Sequence, residues 1–101
     1  MKSPAQIVSM AELRAEIDLL DAALVAALAD RARLIDRAAE LKRAEGMAAL
    51  VPERVAEVLA HVRSEAVARG LDPALAEALW RQIIDWAIAR EEEALARGKD
   101  A

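Results

Sequence analysis

Residues 9–44, SMAELRAEIDLLDAALVAALADRARLIDRAAELKRA, decide the fold of this chain. Ser9 followed three residues later by Glu12 is the pattern of a capping box, which predicts a helix that begins at residue 10. Neither glycine nor proline interrupts the stretch before Gly46. Apolar side chains recur in it at the three- and four-residue spacing of one helical face: Leu13, Ile17, Leu20, Leu24, Leu28 and Ile35. We therefore predict one uninterrupted helix over residues 10–44.

The predicted helix is too long to be covered by the rest of its own chain. At a rise of about 1.5 Å per residue it extends over roughly 52 Å. A compact domain of about 100 residues has a radius of gyration of only about 13 Å. A second copy of the chain is the natural cover for its apolar face, so we predict an intertwined homodimer.

Two further helices are predicted after a short loop, EGMAALVP, at residues 45–52. Pro52 suits the first position of helix two, which should end near Gly70. Asp72 and Pro73 form an N-cap and first-turn pair that starts helix three, expected to end near Gly98. Helix three carries two apolar stripes, and a helix apolar on two sides packs between neighbours. The stripes are Leu75, Leu79, Ile83 and Trp86, and Trp80, Ile84, Ala87, Ile88 and Leu95.

Length and composition favour a single all-α domain over residues 1–101, with three helices per chain. The chain has no cysteine, which excludes disulfides and thiolate metal sites. Its net charge of −4 argues against nucleic acid as the main partner. The N-terminus lacks the apolar run of a signal peptide and no segment reaches membrane-spanning length, so we expect a cytoplasmic protein without a membrane partner.

Two cations fall on the face of helix one that should be apolar. The stripe continues as Leu24, Leu28, Arg31, Ile35, Ala38 and Lys42. Arg31 and Lys42 lie about 16 Å apart along the axis, so two long side chains leaning together can hold a small dianion. Arg14 is roughly 25 Å from Arg31, too far to share that ligand within one chain. In an antiparallel dimer, Arg14 of the second copy can reach it.

Glu91 is the matching anomaly in helix three, because it continues the stripe of Trp80, Ile84 and Ile88. The ordinary interpretations stay open at this point. Long cationic side chains often cover apolar surface with their stems, and Arg33, Arg37 and Arg43 are expected to be simply solvated. Glu91 paired with Lys42 or Arg31 would also be a plain structural ion pair.

The residues resemble the all-helical, AroQ-class chorismate mutases and their relative, isochorismate pyruvate lyase. The resemblance covers nearly the whole chain. It is carried by LRAEIDLLDAALVAALADRARLIDRAAELK at residues 13–42, VPERV at 51–55 and GLDPALAEALWRQIIDWAIAREE at 70–92. It implies an intertwined dimer of three-helix chains with two equivalent active sites, acting on a small anionic substrate without any cofactor or metal.

The resemblance also implies a role for individual residues. Arg14, donated by the partner chain, and Arg31 would clamp the substrate carboxylates. Lys42 would contact a carboxylate and the ether oxygen, and Glu91 would stand where many mutases have a glutamine to that oxygen. Further substrate contacts are implied at Glu53, which would meet the ring hydroxyl, and at Ala38, Ile84, Ala87 and Ile88.

The activity implied is the rearrangement of chorismate to prephenate, which needs no covalent intermediate. Pro52 replaces an arginine of many mutases, as in the lyase, and Ala87 replaces a serine. The lyase reaction, isochorismate to salicylate and pyruvate, is therefore the first alternative. An amino-substituted chorismate is another possible substrate. A non-catalytic helical dimerisation module is the distant alternative.

Overall fold

The computed structural model of the chain describes residues 2–99 and is helical in every regular element. A short 3-10 turn at Pro4–Gln6 precedes α1 (Met10–Glu45), α2 (Pro52–Ala68) and α3 (Pro73–Lys99). The prediction of three helices, one of them very long, is confirmed. Among the described residues, no helix is long and apolar enough to cross a bilayer.

The ends of α1 follow local rules that the sequence displays. Ser9 Oγ accepts the backbone N–H of Glu12 at 3.2 Å, as in a capping box. The returning bond differs from the prediction, because the Glu12 carboxylate accepts the N–H of Val8 at 3.1 Å. At the other end Gly46 adopts a φ of 69°, and the N–H of Met47 reaches back to the Lys42 carbonyl at 2.8 Å. This left-handed glycine closes the helix as a Schellman motif.

The predicted boundaries of α2 and α3 agree with the structure. Pro52 is the first residue of α2, and Gly70, with a φ of 75°, follows its end. Asp72 caps α3 by accepting the N–H of Ala74 at 2.9 Å. The predicted end of α3 near Gly98 is confirmed, since the helix ends at Lys99. Gly98 keeps helical backbone geometry, and its missing Cβ leaves room for the side chain of Arg43, which lies directly above it.

The chain divides into two compact units, Met1–Arg33 and Leu34–Ala101, which are described separately. In the first unit the apolar face of α1 is uncovered. Ile17, Leu20, Leu24 and Leu28 keep between 44% and 61% of their surface exposed. Burying such side chains is worth roughly 1.5–3 kcal/mol each, so the face is a strong candidate for association.

In the second unit α2 packs against α3, and the core consists largely of small side chains. The buried apolar residues are Ala39, Ala49, Leu59, Ala66, Ala76, Ile84 and Ala87. They include the stripe of α3 that carries Ile84, whereas the opposite stripe stays about half exposed at Leu75, Leu79 and Trp86. Only one of the two predicted apolar faces of α3 is therefore covered within this chain.

Candidate active site

Lys42 joins three segments of the second unit. It lies near the end of α1, and its side chain is 19% exposed. Its Nζ donates to the carbonyl of Ala49, in the loop before α2, at 2.7 Å and to Glu91 Oε2, on α3, at 3.1 Å. The cation that the sequence placed on the apolar face of helix one is therefore fixed rather than free in solvent.

Glu91 is the one charged side chain that counts as buried in the described part of the chain, with 4% of its surface exposed. A buried carboxylate is costly unless a charged or hydrogen-bonding partner compensates it, and the Lys42 ammonium is that partner. Glu91 lies on the inward face of α3, as its position in the apolar stripe predicts. Its contact with Lys42 is the ion pair that the sequence left open as an ordinary interpretation, and the catalytic roles of both residues stay predictions.

The predicted apolar contact residues lie on the same two helices as this ion pair and are covered to different degrees. Ile84 and Ala87 are buried, and Ala38 and Ile88 are half-buried. Glu53 lies in the first turn of α2 and is exposed. A cleft of about 420 Å³ opens beside Lys42 between the ends of α1 and α3. It is lined by Lys42, Arg43, Gly46, Met47, Ala48, Leu95 and Gly98. A cation beside apolar walls suits an anionic ligand with an apolar body.

Arg14 and Arg31 belong to the first unit, where Arg14 is exposed and Arg31 is half-buried. Their contribution to a site with Lys42 stays a prediction.

Three polar contacts of the second unit were missed from the sequence. Arg43 was expected to be solvated, but its Nη2 donates to the Ala94 carbonyl on α3 at 2.5 Å. Asp36 accepts both Nε and Nη2 of Arg90, at 2.6 and 3.1 Å. The third is the Ala49 carbonyl that accepts from Lys42. Each contact joins residues that local patterns do not relate, and a backbone carbonyl carries no sequence signal at all.

The Asp36–Arg90 pair gives a testable dependence of stability on pH. The hydrogen bonds from Arg90 lower the pKa of Asp36 below its ordinary value of 3.8. A lowered pKa in the folded state stabilises the protein above pH 3.8, and this stabilisation is lost as the pH falls through the folded-state value. We expect Asp36→Asn to lower the thermal unfolding midpoint at pH 7 only slightly, because both side chains of the pair are exposed, and we expect this small difference to shrink in strong acid. A difference that is the same at pH 7 and pH 2.5 would contradict the assignment.

The sequence of the chain is similar to those of known proteins over most of its length. The family model described as chorismate mutase type II matches residues 13–92. An isochorismate pyruvate lyase of Pseudomonas aeruginosa is 37% identical over 91 residues, which are 90% of this chain and 89% of the relative. A 4-amino-4-deoxychorismate mutase of Streptomyces pristinaespiralis is 36% identical and matches 85% of this chain and 67% of its own length. A T-protein of Enterobacter agglomerans is 38% identical over 77% of this chain, but only 21% of that protein is matched.

Proposed function

Since the chain belongs to the type II chorismate mutase family, we propose that it is a chorismate mutase that converts chorismate to prephenate. The observation that carries this proposal is the half-buried Lys42 ammonium paired with the buried Glu91 carboxyl, which shares one face of α3 with the buried Ile84 and Ala87. Family membership supports a chorismate-type substrate, and the family match spans both units of the chain, which supports a single domain over residues 1–101.

The reaction breaks one C–O bond and forms one C–C bond in a single pericyclic step, so no side chain acts as a nucleophile. Catalysis needs the flexible dianion held in its compact reactive shape. It also needs fixed donors where negative charge develops on the ether oxygen. We assign the first task to Arg31 and the partner's Arg14, because a planar guanidinium binds a carboxylate through two hydrogen bonds. We assign the second task to Lys42, whose ammonium the protein already holds in place.

The proposal includes a homodimer in which each chain donates Arg14 to the site of the other. It is supported by the exposed apolar face of residues 17–28 and by the half-exposed stripe of Leu75, Leu79 and Trp86. Rows of large apolar side chains left exposed in this way are typical of protein–protein contact surfaces.

A second candidate function is isochorismate pyruvate lyase. The Pseudomonas aeruginosa relative of that name matches nine-tenths of this chain, and the resemblance to the lyases implies a proline at the position of Pro52. The name of the Streptomyces pristinaespiralis relative indicates 4-amino-4-deoxychorismate as a third substrate to test. Purified protein should be offered chorismate, isochorismate and 4-amino-4-deoxychorismate separately, and the products identified. Prephenate from chorismate supports the proposal, and salicylate with pyruvate from isochorismate supports the second candidate.

A purely structural dimerisation module is tested by thermal unfolding with and without an anionic transition-state analogue of the mutase reaction. A binding site raises the unfolding midpoint by mass action, as the ligand stabilises only the folded state. A pure scaffold shows no shift at any analogue concentration.

The charge of Glu91 gives the proposed mutase a test by substitution. A carboxylate at this position repels the substrate dianion, whereas an amide can donate a hydrogen bond to the ether oxygen. We expect Glu91→Gln, which removes the charge and keeps a donor, to raise the rate of prephenate formation. A loss of most of the rate in Glu91→Gln would contradict this role for the position.

A further inference from the structure

Each member of the Lys42–Glu91 pair has an arginine as its neighbour in the chain, and each of these arginines reaches the opposite helix. Arg43 follows Lys42 on α1 and donates to the Ala94 carbonyl on α3 at 2.5 Å. Arg90 precedes Glu91 on α3 and donates through Nε and Nη2 to Asp36 on α1. One arginine therefore donates from α1 to α3 and the other from α3 to α1, and each is the chain neighbour of one member of the ion pair.

The flanking contacts have specific geometry. Asp36 and Arg90 form a two-bond pair, which fixes the angle between the side chains as well as their distance. The guanidinium of Arg90 also lies 5.5 Å from the ring centre of Trp86, one turn earlier on the same helix. The guanidinium of Arg43 lies against Gly98, where any side chain would displace it. Both arginines are thus held on two sides.

We infer that Arg43 and Arg90 are positioning residues, which set the distance between Lys42 Nζ and the Glu91 carboxyl by fixing α3 against the end of α1. This inference rests on the proposed function for its effect on rate. Neither arginine needs to touch the substrate. Each acts on the reaction through its chain neighbour, because a shift or rotation of α3 relative to α1 moves Glu91 away from Lys42.

Because these contacts are exposed, a positioning role for the two arginines can be distinguished from a role in stabilising the fold. The side chains of Asp36 and Arg90 are each 46% exposed. Exposed ion pairs contribute little to the free energy of unfolding, so their removal should leave the fold nearly unchanged. A displacement of about 1 Å at a catalytic group, by contrast, can lower a rate by as much as about 100-fold. A positioning role therefore predicts a large effect on kcat with a small effect on stability.

The test compares Arg43→Gln and Arg90→Gln with Arg81→Gln. Arg81 is a matched control, since it is an exposed arginine of α3 that pairs with Glu77 at 3.1 Å on the same helix. We expect each of the two variants to lower kcat roughly tenfold, with a smaller change in KM and a thermal midpoint close to wild type. Arg90→Lys, which keeps one donor to Asp36, should restore part of the rate. Rate losses no larger than that of Arg81→Gln would overturn the inference.

A second measurement does not depend on turnover. The carboxyl carbon resonance of Glu91 can be assigned by NMR through its absence in Glu91→Gln. It should move in Arg43→Gln and Arg90→Gln and stay in place in Arg81→Gln. An unmoved resonance in the first two variants overturns the positioning role even in an active enzyme. Lack of turnover by the wild type overturns the proposed function, while the resonance still tests the positioning.

Discussion

Replacing Lys42 by alanine should lower kcat by roughly two to three orders of magnitude while the helices stay folded. Loss of one fixed donor to a developing oxyanion typically raises the barrier by about 3–4 kcal/mol. The Nζ of Lys42 is held at 2.7 Å from Ala49 and 3.1 Å from Glu91, so it is a donor of that kind. The measurement is the rate of chorismate consumption beside the far-ultraviolet circular dichroism of the same sample.

Loss of stability must be separated from loss of catalysis in Lys42→Ala. Lys42→Ala leaves Glu91 buried without its partner, and an unpaired buried charge lowers stability by about 3–5 kcal/mol. The double variant Lys42→Ala/Glu91→Gln removes both charges, so it should recover the thermal midpoint but not the rate. Arg37→Ala removes an exposed cation of α1 paired with Glu40 and should change neither. If the double variant recovers the rate together with the midpoint, Lys42 has only a structural role.

Arg14→Ala should abolish nearly all activity. Part of the activity should return when Arg14→Ala chains are mixed with Lys42→Ala chains, which are also inactive alone. If the partner chain donates Arg14, a heterodimer of Arg14→Ala and Lys42→Ala chains contains one complete site and one doubly defective site. Random reassociation after joint unfolding makes about half of the dimers mixed. Each mixed dimer has one complete site out of two, so about one quarter of the wild-type activity is expected.

The matched control is a mixture of Arg31→Ala and Lys42→Ala chains. Arg31 and Lys42 are proposed to act from the same chain, so every site in the mixed dimer lacks one of them and no activity should return. Recovery in the control, or none in the Arg14 mixture, would contradict the donation of Arg14 across the interface. Size-exclusion chromatography of each variant confirms that the subunits associate before activities are compared.

The helices were predictable because their ends are determined locally. Asp72 and Pro73 start α3 through a hydrogen bond and a fixed φ, and Gly46 ends α1 through a left-handed backbone that other residues avoid. Gly98 lies one residue before the end of α3, and its missing side chain also makes room for Arg43 from another helix, which the sequence does not reveal.

The candidate site was predictable to the extent that it depends on helical periodicity. Lys42 and Glu91 could be found because each interrupts an apolar stripe, and the structure pairs them. Asp36, Arg43 and Arg90 do not interrupt a stripe, and their contacts depend on how α3 is set along α1. That offset depends on how the core packs, and packing of buried residues such as Ala39 and Ala87 is not a local property of the sequence.

The two hydrogen bonds of Lys42 also have a consequence for the reactivity of its amine. Attack on an acylating or alkylating reagent requires a neutral nitrogen with a free lone pair, and this ammonium donates to both Ala49 and Glu91. The chain has only three lysines, at positions 2, 42 and 99. Lys2 also pairs with a carboxylate, that of Glu12, but it is far more exposed than Lys42, with 51% against 19% of the side chain accessible. Chemical labelling of amines should therefore be slow at Lys42 and fast at Lys2, and lysine modification becomes a direct probe of whether the centre of the site is intact.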